Sequence, residues 1–393
     1  MPVSMPPFDT WLHAFEFLAQ QIGDRRFVLV FDEFPYAAQA NSALPSALQI
    51  AIDHTFKNTK LTLILCGSNQ GFMEHEVLGE KSPLYGRRTQ QIQLKPFDYA
   101  DAALMMPDCP PTERVSYYAA FGGTPYYLSS IDTSLDYAQN VAASFFSRSG
   151  LMFDEPSMLM RQELREPAAY ASIMRAISAG ANKSNEIAGK AGIPATAITG
   201  YLKTLMALDL IERVVPLGES EKSRRSLYQI KDPAFLFWYR FVAPFVTAVE
   251  SGVGEQTAHR LLASDRRAEY EGHLFERVCR EWLLRAARNG TLPLQVTNVG
   301  SWWGPDLVKR ERTDIDVVAI DQIDRRALLG ECKWRNEIDE AAVLSTLVDR
   351  RRLIPGYEDY WLYVFTKRRV GAKSLARAEE LGHARYVSVD EMF

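Results

Sequence analysis

The 393-residue chain has little cysteine and histidine and no long hydrophobic run. Its four cysteines are widely separated, which argues against a disulfide framework or a zinc site and predicts buried thiols. Six scattered histidines form no ligand pair at helical or strand spacing, so zinc catalysis is not indicated. No apolar stretch approaches the roughly 18 residues of a membrane span, and the first residues do not form a signal peptide. We therefore expect a cytoplasmic protein with no membrane partner.

The chain also lacks a large excess of charge of one sign, since its formal net charge is only −4. A basic footprint favours extended nucleic-acid binding, so any nucleic acid would have to bind local basic patches here. Neither a Gly-x-Ser-x-Gly elbow nor a Gly-x-Gly-x-x-Gly turn occurs, so a serine hydrolase or a dinucleotide oxidoreductase is not indicated. The length is sufficient for two or three domains.

Two apolar segments near the C-terminal end carry charged residues in a pattern that indicates chemistry. Residues 313–320 form a β-branched run with Asp316, and residues 327–333 end in Glu331-Cys332-Lys333. Side chains alternate along a strand, so Glu331 and Lys333 share one face and Cys332 points the other way. Two carboxylates and an ammonium would then converge, as Mg²⁺-assisted phosphodiester hydrolysis requires. The alternative is an ordinary exposed strand face with opposite charges.

A predicted helix upstream adds a third carboxylate to this pattern. Residues 270–283 carry a helical apolar stripe, and Glu276 flanks it. Glu276 would reach a metal from the helix; alternatively it is a solvated helix carboxylate. Along residues 269–393 the order of predicted elements is helix, three strands, helix, strand, which resembles the restriction-endonuclease-like PD-(D/E)XK superfamily.

Near the N-terminus, an apolar strand over residues 27–31 ends in Asp32-Glu33. In a P-loop ATPase such a strand lies in a parallel sheet, where the Asp orients Mg²⁺ and the Glu polarises the attacking water. A second apolar strand ends in Ser68 and Asn69, which are suited to contact a γ-phosphate. Alternating strands and helices predict a doubly wound sheet with its ligand beyond the carboxyl ends of the strands. The alternative is any α/β domain with an acidic strand end.

The phosphate loop Gly-x-x-x-x-Gly-Lys-Ser/Thr does not occur in the sequence. That loop supplies the N–H groups and the lysine that hold a triphosphate, so its absence predicts weakened ATP binding. Only about 26 residues precede the strand that ends in Asp32-Glu33. The chain thus looks like an ATPase without its first strand-loop-helix unit, through either truncation or degeneration.

Four short phrases, at residues 31–36, 65–68, 82–89 and 121–128, occur together with Trp302-Trp303-Gly304 and the residues around Asp316 and Glu331. This combination resembles the archaeal-type AAA-like ATPases, relatives of the signal-transducing STAND NTPases, many of which end in a domain of unknown function. The resemblance covers essentially the whole chain. It implies an ATP-binding module, a winged helix and a nuclease-like tail, with ATP and DNA as ligands.

The resemblance also assigns roles to single residues. Asp32 would be the Mg²⁺-side carboxylate, Glu33 the water-activating base, and Ser68 with Asn69 the sensor. Arg87 and Arg88 are candidates for an arginine finger that acts on the nucleotide of a neighbouring subunit, which would make the protein a homo-oligomer. The alternative is a loop pair that forms local ion pairs.

Residues 165–241 have the pattern of a winged helix. Ser184 caps a short helix, Gly192 makes the turn, and Pro194 opens a second helix, after which a polar hairpin precedes a strand. If this module binds DNA, the second helix faces the major groove and the hairpin touches phosphate. The candidate contacts are Thr196, Thr199, Lys203, Lys222, Arg224 and Arg225. Alternatively, the winged helix only packs against the ATPase part.

The predicted architecture is therefore α/β and multidomain. It comprises a truncated P-loop ATPase-like parallel sheet (1–135), a helical lid or linker (136–164), a winged helix (165–241), a linker (242–268) and a restriction-endonuclease-like α/β domain (269–393). Two functions stay open. We favour a DNA-acting protein of the ATPase family with an Mg²⁺-dependent endodeoxyribonuclease domain; the alternative is a catalytically inactive, DNA-binding regulator or scaffold of that family.

We predict that this chain hydrolyses ATP very slowly or not at all, because the phosphate loop is missing. The measurement is phosphate release by purified protein in excess Mg-ATP, beside Glu33→Gln. Rapid hydrolysis that disappears in Glu33→Gln would contradict the prediction.

Overall fold

The structure, a computed structural model, describes residues 7–67, 73, 77 and 79–393. It is a mixed α/β, multidomain arrangement with a parallel sheet near the N-terminus and a larger sheet near the C-terminus, which confirms the fold class at this level. The chain divides into two compact units, residues 1–94 and 95–393. The finer boundaries at 135, 164, 241 and 268 stay predictions. In the described part of the chain, no helix is both long enough and apolar enough to cross a membrane.

In the first unit, strands and helices alternate. Its elements are α1 (Trp11–Ile22), β1 (Arg26–Phe31), α2 (Phe34–Ala40), α3 (Leu44–Ile50), a π turn (Ala51–Thr55), a 3₁₀ turn (Phe56–Asn58) and β2 (Lys60–Leu65). Helix α1 begins where the Thr10 side chain accepts the His13 N–H, and it ends at Gly23 with a φ of 52°. Within the described residues of this unit, β1 and β2 pair in parallel, with Phe31 opposite Leu65.

Among the described residues of this unit, one face of the small sheet is packed and the other is exposed. The packed face covers a core that includes Phe15, Phe34, Leu44 and Leu48. On the opposite face Val28 and Val30 are 58% and 52% exposed. In the described part of this unit, helices thus cover one side of the sheet, which is half of a doubly wound arrangement.

The second unit begins with helices. They are α4 (Tyr99–Ala103), α5 (Pro111–Phe121), α6 (Pro125–Leu128), α7 (Tyr137–Phe145) and α8 (Leu151–Glu163). Asp98 and Asp136 start α4 and α7 by accepting backbone N–H groups, and Gln139 completes a capping box at α7.

A three-helix segment with a two-stranded antiparallel sheet follows. Its elements are α9 (Pro167–Ser178), α10 (Ser184–Ala191), α11 (Ile198–Ala207), β3 (Ile211–Val214) and β4 (Leu227–Ile230). Gly192 adopts a φ of 69° between α10 and α11, which supports the predicted turn. The element order is that predicted for residues 165–241.

Short helices then lead to one long helix. These elements are α12 (Pro233–Phe237), a π turn (Trp238–Val242), a 3₁₀ turn (Ala243–Phe245), α13 (Val246–Glu250), α14 (Gly254–Leu262) and α15 (Asp265–Arg288). Phe235, Phe237, Trp238 and Phe241 are at most 6% exposed, so this aromatic run belongs to the core.

Residues 289–393, all described, contain five strands in one sheet. The elements are β5 (Asn298–Asp306), β6 (Glu311–Asp321), β7 (Arg326–Lys333), α16 (Glu340–Arg350), a 3₁₀ turn (Arg351–Leu353), β8 (Asp359–Thr366), α17 (Ala372–Leu381), β9 (Ala384–Ser388) and a 3₁₀ turn (Val389–Glu391). The strands follow chain order; β5, β6 and β7 pair antiparallel, and β7, β8 and β9 pair parallel. The strands predicted around Asp316 and Glu331 are observed.

The sheet is buried on both faces. On one face, Val317, Leu328 and Phe365 belong to a core that continues through α15 into the helices of this unit. On the other, Val318 and Leu329 pack with Leu344 and Leu347 of α16. Of the four cysteines, which are all free thiols, Cys279 and Cys332 are buried as predicted, while Cys66 and Cys109 are half-buried.

Candidate active site

The strands β6 and β7 stop pairing at the point where the charged residues begin. Their last pair is Val317 with Gly330. One residue beyond it, Oδ2 of Asp316 accepts the N–H of Cys332 at 2.7 Å, so the carboxylate takes the place of a strand partner. Asp316 is thereby held against the backbone between Glu331 and Lys333.

Glu331 and Lys333 lie on the same face of β7. Lys333 Nζ donates to Oε1 of Glu331 at 2.7 Å, and Glu331 is only 7% exposed. Cys332 points to the opposite face, in the same core as Cys279 of α15. This alternation is what an extended backbone imposes.

Arg350 is a site residue that sequence reasoning missed. It is the last residue of α16, and its Nη1 donates to Oε2 of Glu331. Both oxygens of Glu331 are therefore in ion pairs, one with Lys333 and one with Arg350. A signal existed in the sequence, because Arg350 follows Leu347 by three residues and so shares its helix face.

Glu276 approaches from α15, on the other side of the sheet. Arg280, one turn further along α15, lies 3.9 Å from Oε2 of Glu276 and donates to the carbonyl oxygen of Asp316 at 3.2 Å. His273 Nδ1 is 3.7 Å from Glu276. Glu276 is therefore more than a solvated helix carboxylate, because Arg280 connects it to Asp316 of β6.

Burial and the neighbouring charges shift the pKa values of Asp316 and Lys333. Burial, and next the negative charges of Glu331 and Glu276, raise the pKa of Asp316 to about 8. Burial lowers the pKa of Lys333, but Glu331 and Asp316 outweigh that effect, so the net shift is upward and Lys333 stays charged. The structure therefore brings Glu276, Asp316, Glu331 and Lys333 into one electrostatically connected site.

The donor set fits a hard divalent cation by its chemistry, because Asp316 and Glu331 offer carboxylate oxygens. Among residues 7–67, 73, 77 and 79–393, no group of three or more His, Cys, Asp or Glu side chains is arranged to hold a metal ion. Mg²⁺ commonly binds one or two protein carboxylates and completes its shell with water and substrate phosphate. Asp316 and Glu331, which lie where the pairing of β6 with β7 stops, supply that smaller number of carboxylates.

In the first unit, Asp32 and Glu33 follow β1 at its carboxyl end. Oδ1 of Asp32 accepts the N–H of Glu33 at 3.0 Å, and Glu33 has a left-handed backbone with a φ of 49°. The neighbouring strand end is joined to this turn, because the Phe34 N–H donates to the carbonyl of Cys66 at 2.9 Å. Such a backbone conformation in a non-glycine residue is frequent at functional turns. Ser68 and Asn69, the predicted sensor, lie outside the described residues.

Arg87 and Arg88 both have partners within this unit. The guanidinium of Arg87 donates to both oxygens of Asp53, at 2.8 and 2.7 Å, and to the carbonyls of Pro83 and Tyr85. Arg88 donates to Gln91 at 2.5 Å. The local ion pair is therefore present for Arg87, and a finger role in trans would require it to open.

The predicted DNA contacts fall into two groups. Thr196, Thr199 and Lys203 are exposed along one stripe of α11 and the turn before it, opposite buried Ile198 and Leu202. In the β3–β4 hairpin, Lys222 and Arg224 are exposed.

Arg225 is instead turned toward the C-terminal sheet. Its Nη1 donates to the carbonyl of Trp303 and its carbonyl accepts the Trp303 Nε1–H, both at 3.0 Å, while Glu219 pairs with its guanidinium. In this conformation its guanidinium docks the hairpin onto β5, so a phosphate contact would compete with that docking.

Two families match parts of this chain. Residues 7–131 match a family described as an ATPase domain predominantly from Archaea. Residues 238–344 match DUF234, described as Archaea bacterial proteins of unknown function.

Curated relatives come from Methanocaldococcus jannaschii. The chain is 31% identical to its "Uncharacterized protein MJECL04" over 361 residues, which cover 90% of this chain and 77% of that protein. It is 38% identical to "Uncharacterized protein MJ0424" over 55 residues, which cover 14% of this chain and 53% of that protein.

Two solved structures align at low scores. Protein VC1899 from Vibrio cholerae aligns at 12% identity and a TM-score of 0.27, over 96% of this chain and 92% of that one. The Aeropyrum pernix ORC1 protein, solved in complex with DNA, aligns at 14% identity and a TM-score of 0.29, over 63% and 73%. Scores this low do not establish a common fold.

We predict that Asp316→Asn removes a pH-dependent loss of stability. The pKa of Asp316 is raised in the folded protein, whereas an unfolded aspartate has a pKa of about 4. The folded state therefore holds a proton that the unfolded state releases, so this group stabilises the fold fully below pH about 4. Its contribution is lost as the pH rises toward about 8.

The measurement is the free energy of unfolding in urea across that pH range, in EDTA. Asp314→Asn, which changes an exposed carboxylate of the same strand, serves as the control and should keep the wild-type pH slope. Identical slopes for wild type and Asp316→Asn would show the prediction to be wrong.

Proposed function

Because this chain belongs to the archaeal-type ATPase family, as its sequence phrases predicted, we propose that it is a DNA-acting member of that family with a metal-dependent endonuclease site in its C-terminal sheet. The family is shown by the relative MJECL04 and by the match to the archaeal ATPase domain. The order of α15, three strands, α16 and β8, followed by α17 and β9, supports a PD-(D/E)XK-like nuclease domain.

One observation carries the proposal. Asp316, at the end of the pairing between β6 and β7, is hydrogen-bonded to the backbone between Glu331 and Lys333. The mostly buried strand β7 thus ends in one carboxylate and one ammonium, and the carboxylate of Asp316 from β6 is bonded to the backbone between them. Buried charge is costly unless it is paired or used, so such a cluster at a strand end indicates function.

Asp316 and Glu331 would hold a divalent cation, which supplies Lewis-acid polarisation of a phosphate oxygen and a more acidic water. Lys333 is charged and close to Glu331, so its Nζ can bind a non-bridging oxygen of the scissile phosphate and stabilise the charge that develops there. Glu276 would orient Arg280 and Asp316 from α15.

The hairpin and α11 would hold the duplex beside this site. The N–H of Leu217 donates to the carbonyl of Ser301 at 2.8 Å, at the irregularity of β5 that faces Asp316 and Val317 of β6. Together with the Arg225–Trp303 bonds, this contact attaches the hairpin to the sheet at the level of the carboxylates. The exposed stripe of α11 is then available to the major groove, as in a winged helix.

A second function is favoured by the ion pairs that both carboxylate oxygens of Glu331 form. Because Lys333 and Arg350 occupy both of its oxygens, the site is also consistent with a nuclease-like tail that has no turnover. In that case the protein is a DNA-binding regulator or scaffold of the ATPase family. ATP and Mg²⁺ would bind at Asp32 and Glu33, with weak or no hydrolysis, and oligomerisation would depend on Arg87 or Arg88 acting in trans.

We predict that Lys333→Ala lowers metal-dependent DNA cleavage by about 100-fold or more while DNA binding survives, since one charge that stabilises the transition state is removed. The measurement is cleavage of linear, supercoiled and branched DNA in Mg²⁺ or Mn²⁺, with and without ATP, and in EDTA.

Lys373→Ala, which changes an exposed lysine of α17, is the matched control and should cleave like wild type. Undiminished cleavage by Lys333→Ala would eliminate the proposed site. If wild type binds DNA but cuts no substrate, the regulator is the correct alternative.

We also predict that Lys203→Ala and Arg224→Ala each weaken DNA binding and reduce the slope of log affinity against log salt by about one, because each removes one phosphate contact. Fluorescence anisotropy with a labelled duplex at several salt concentrations measures both quantities. Arg161→Ala, on the exposed surface of α8, should leave the slope unchanged. Wild-type slopes in both variants would place DNA elsewhere.

A further inference from the structure

Both oxygens of Glu331 are already paired with cations of the protein itself. Lys333 contacts one oxygen and Arg350 the other. A site that takes up a divalent cation gains two positive charges, which then repel the cations already there. One of those cations has to leave for Glu331 to become a ligand.

Arg350 is the cation that is placed to leave. Its backbone is anchored on both sides, by Leu347, which is fully buried, and by Arg352, whose Nη1 donates to Oδ1 of Asp306 at 2.6 Å. Its side chain is 18% exposed and pairs with Glu331 through Nη1. The guanidinium can therefore swing away while α16 stays in position.

Lys333 is less suited to leave. It is on the same strand as Glu331, two residues away, and its Nζ also experiences the charge of Asp316. The two cations thus belong to different elements. Lys333 lies on the same strand as Glu331, whereas Arg350 lies on α16, which packs on the face of the sheet.

We propose that Arg350 is a switch residue. In the metal-free protein its guanidinium pairs with the Glu331 carboxylate. When a divalent cation binds, the guanidinium is displaced and binds a phosphate of the nucleic acid instead. This inference rests on the proposed nuclease site and adds a residue and a binding order to it. Guanidinium groups bind phosphate oxygens through two parallel N–H donors, so the released side chain has a suitable new partner.

The proposal predicts effects of opposite sign on two ligands. Without the Arg350 charge, Glu331 has one competitor fewer, so the metal binds more tightly. The nucleic acid, however, loses a phosphate contact that exists only when metal is bound. A purely structural role of Arg350 would weaken both or neither.

The first measurement is Mn²⁺ binding to the full chain, followed by the electron paramagnetic resonance signal of free Mn²⁺. Arg350→Met should bind Mn²⁺ about tenfold more tightly than wild type, as expected for removal of one nearby positive charge. Arg351→Met, which changes the adjacent and exposed arginine, is the matched control and should bind like wild type. Glu331→Gln should lose binding.

The second measurement is duplex binding by anisotropy, in EDTA and in Ca²⁺. Wild type should gain affinity on addition of Ca²⁺, and Arg350→Met should lose about tenfold of that gain while its affinity in EDTA is unchanged. If Arg350→Met does not fold, Arg350→Gln, which keeps an amide donor without the charge, carries the same expectations.

The outcomes separate this inference from the function on which it rests. If wild type binds no Mn²⁺, the metal site itself is wrong, and the switch fails with it. If wild type binds Mn²⁺ and Glu331→Gln does not, but Arg350 variants bind as wild type does, the metal site stands and the switch is overturned. Weaker binding of both ligands by the variants would assign Arg350 a structural role.

Discussion

The second unit depends on the packing of α15, which contacts the sheet on one side and helices on the other. Phe275 and Leu283 are completely buried in the shared core. Two carboxylates of α15 are hydrogen-bonded within this packing. Glu281 accepts hydrogen bonds from the N–H of Tyr99 and the hydroxyl of Tyr118, and Glu271 accepts one from the indole N–H of Trp334. Since an unpaired buried carboxylate would be strongly destabilising, these bonds hold the helix in one position. That position decides where Glu276 stands relative to β6.

The candidate site combines two requirements that oppose each other. Carboxylates that share a cation must lie close together, but burial and the negative charges of Glu331 and Glu276 raise the pKa of Asp316. The protein relieves the repulsion with Lys333 and Arg350. A nuclease would exchange part of this internal compensation for a divalent cation and phosphate, whereas a regulator would keep it permanently. The two proposed functions thus differ in whether an ion pair of Glu331 opens to admit a cation or stays closed.

The elements of the fold could be predicted well where the local pattern was strong. Apolar runs of five to eight residues predicted β1, β2, β6, β7 and β8, and the turn at Gly192 followed from the glycine itself. The convergence of Glu331 and Lys333 followed from strand alternation. Helical spacing places Arg350 on the face of Leu347, but its pairing with Glu331 could not be found in this way, because the two residues are 19 positions apart and belong to different elements. Arg225 was expected to touch phosphate, but the hairpin is docked through it onto Trp303.

The sequence by itself determined the order of helices and strands, the family and the identity of the charged residues at the strand ends, because these properties depend on neighbours along the chain. Only the tertiary structure decided which charges meet. The exit of Asp316 from the β6–β7 ladder, the second ion pair of Glu331 and the attachment of the hairpin to β5 all join distant segments. Such contacts depend on how buried faces pack, and the periodicity of one segment contains no information about the side chains of another.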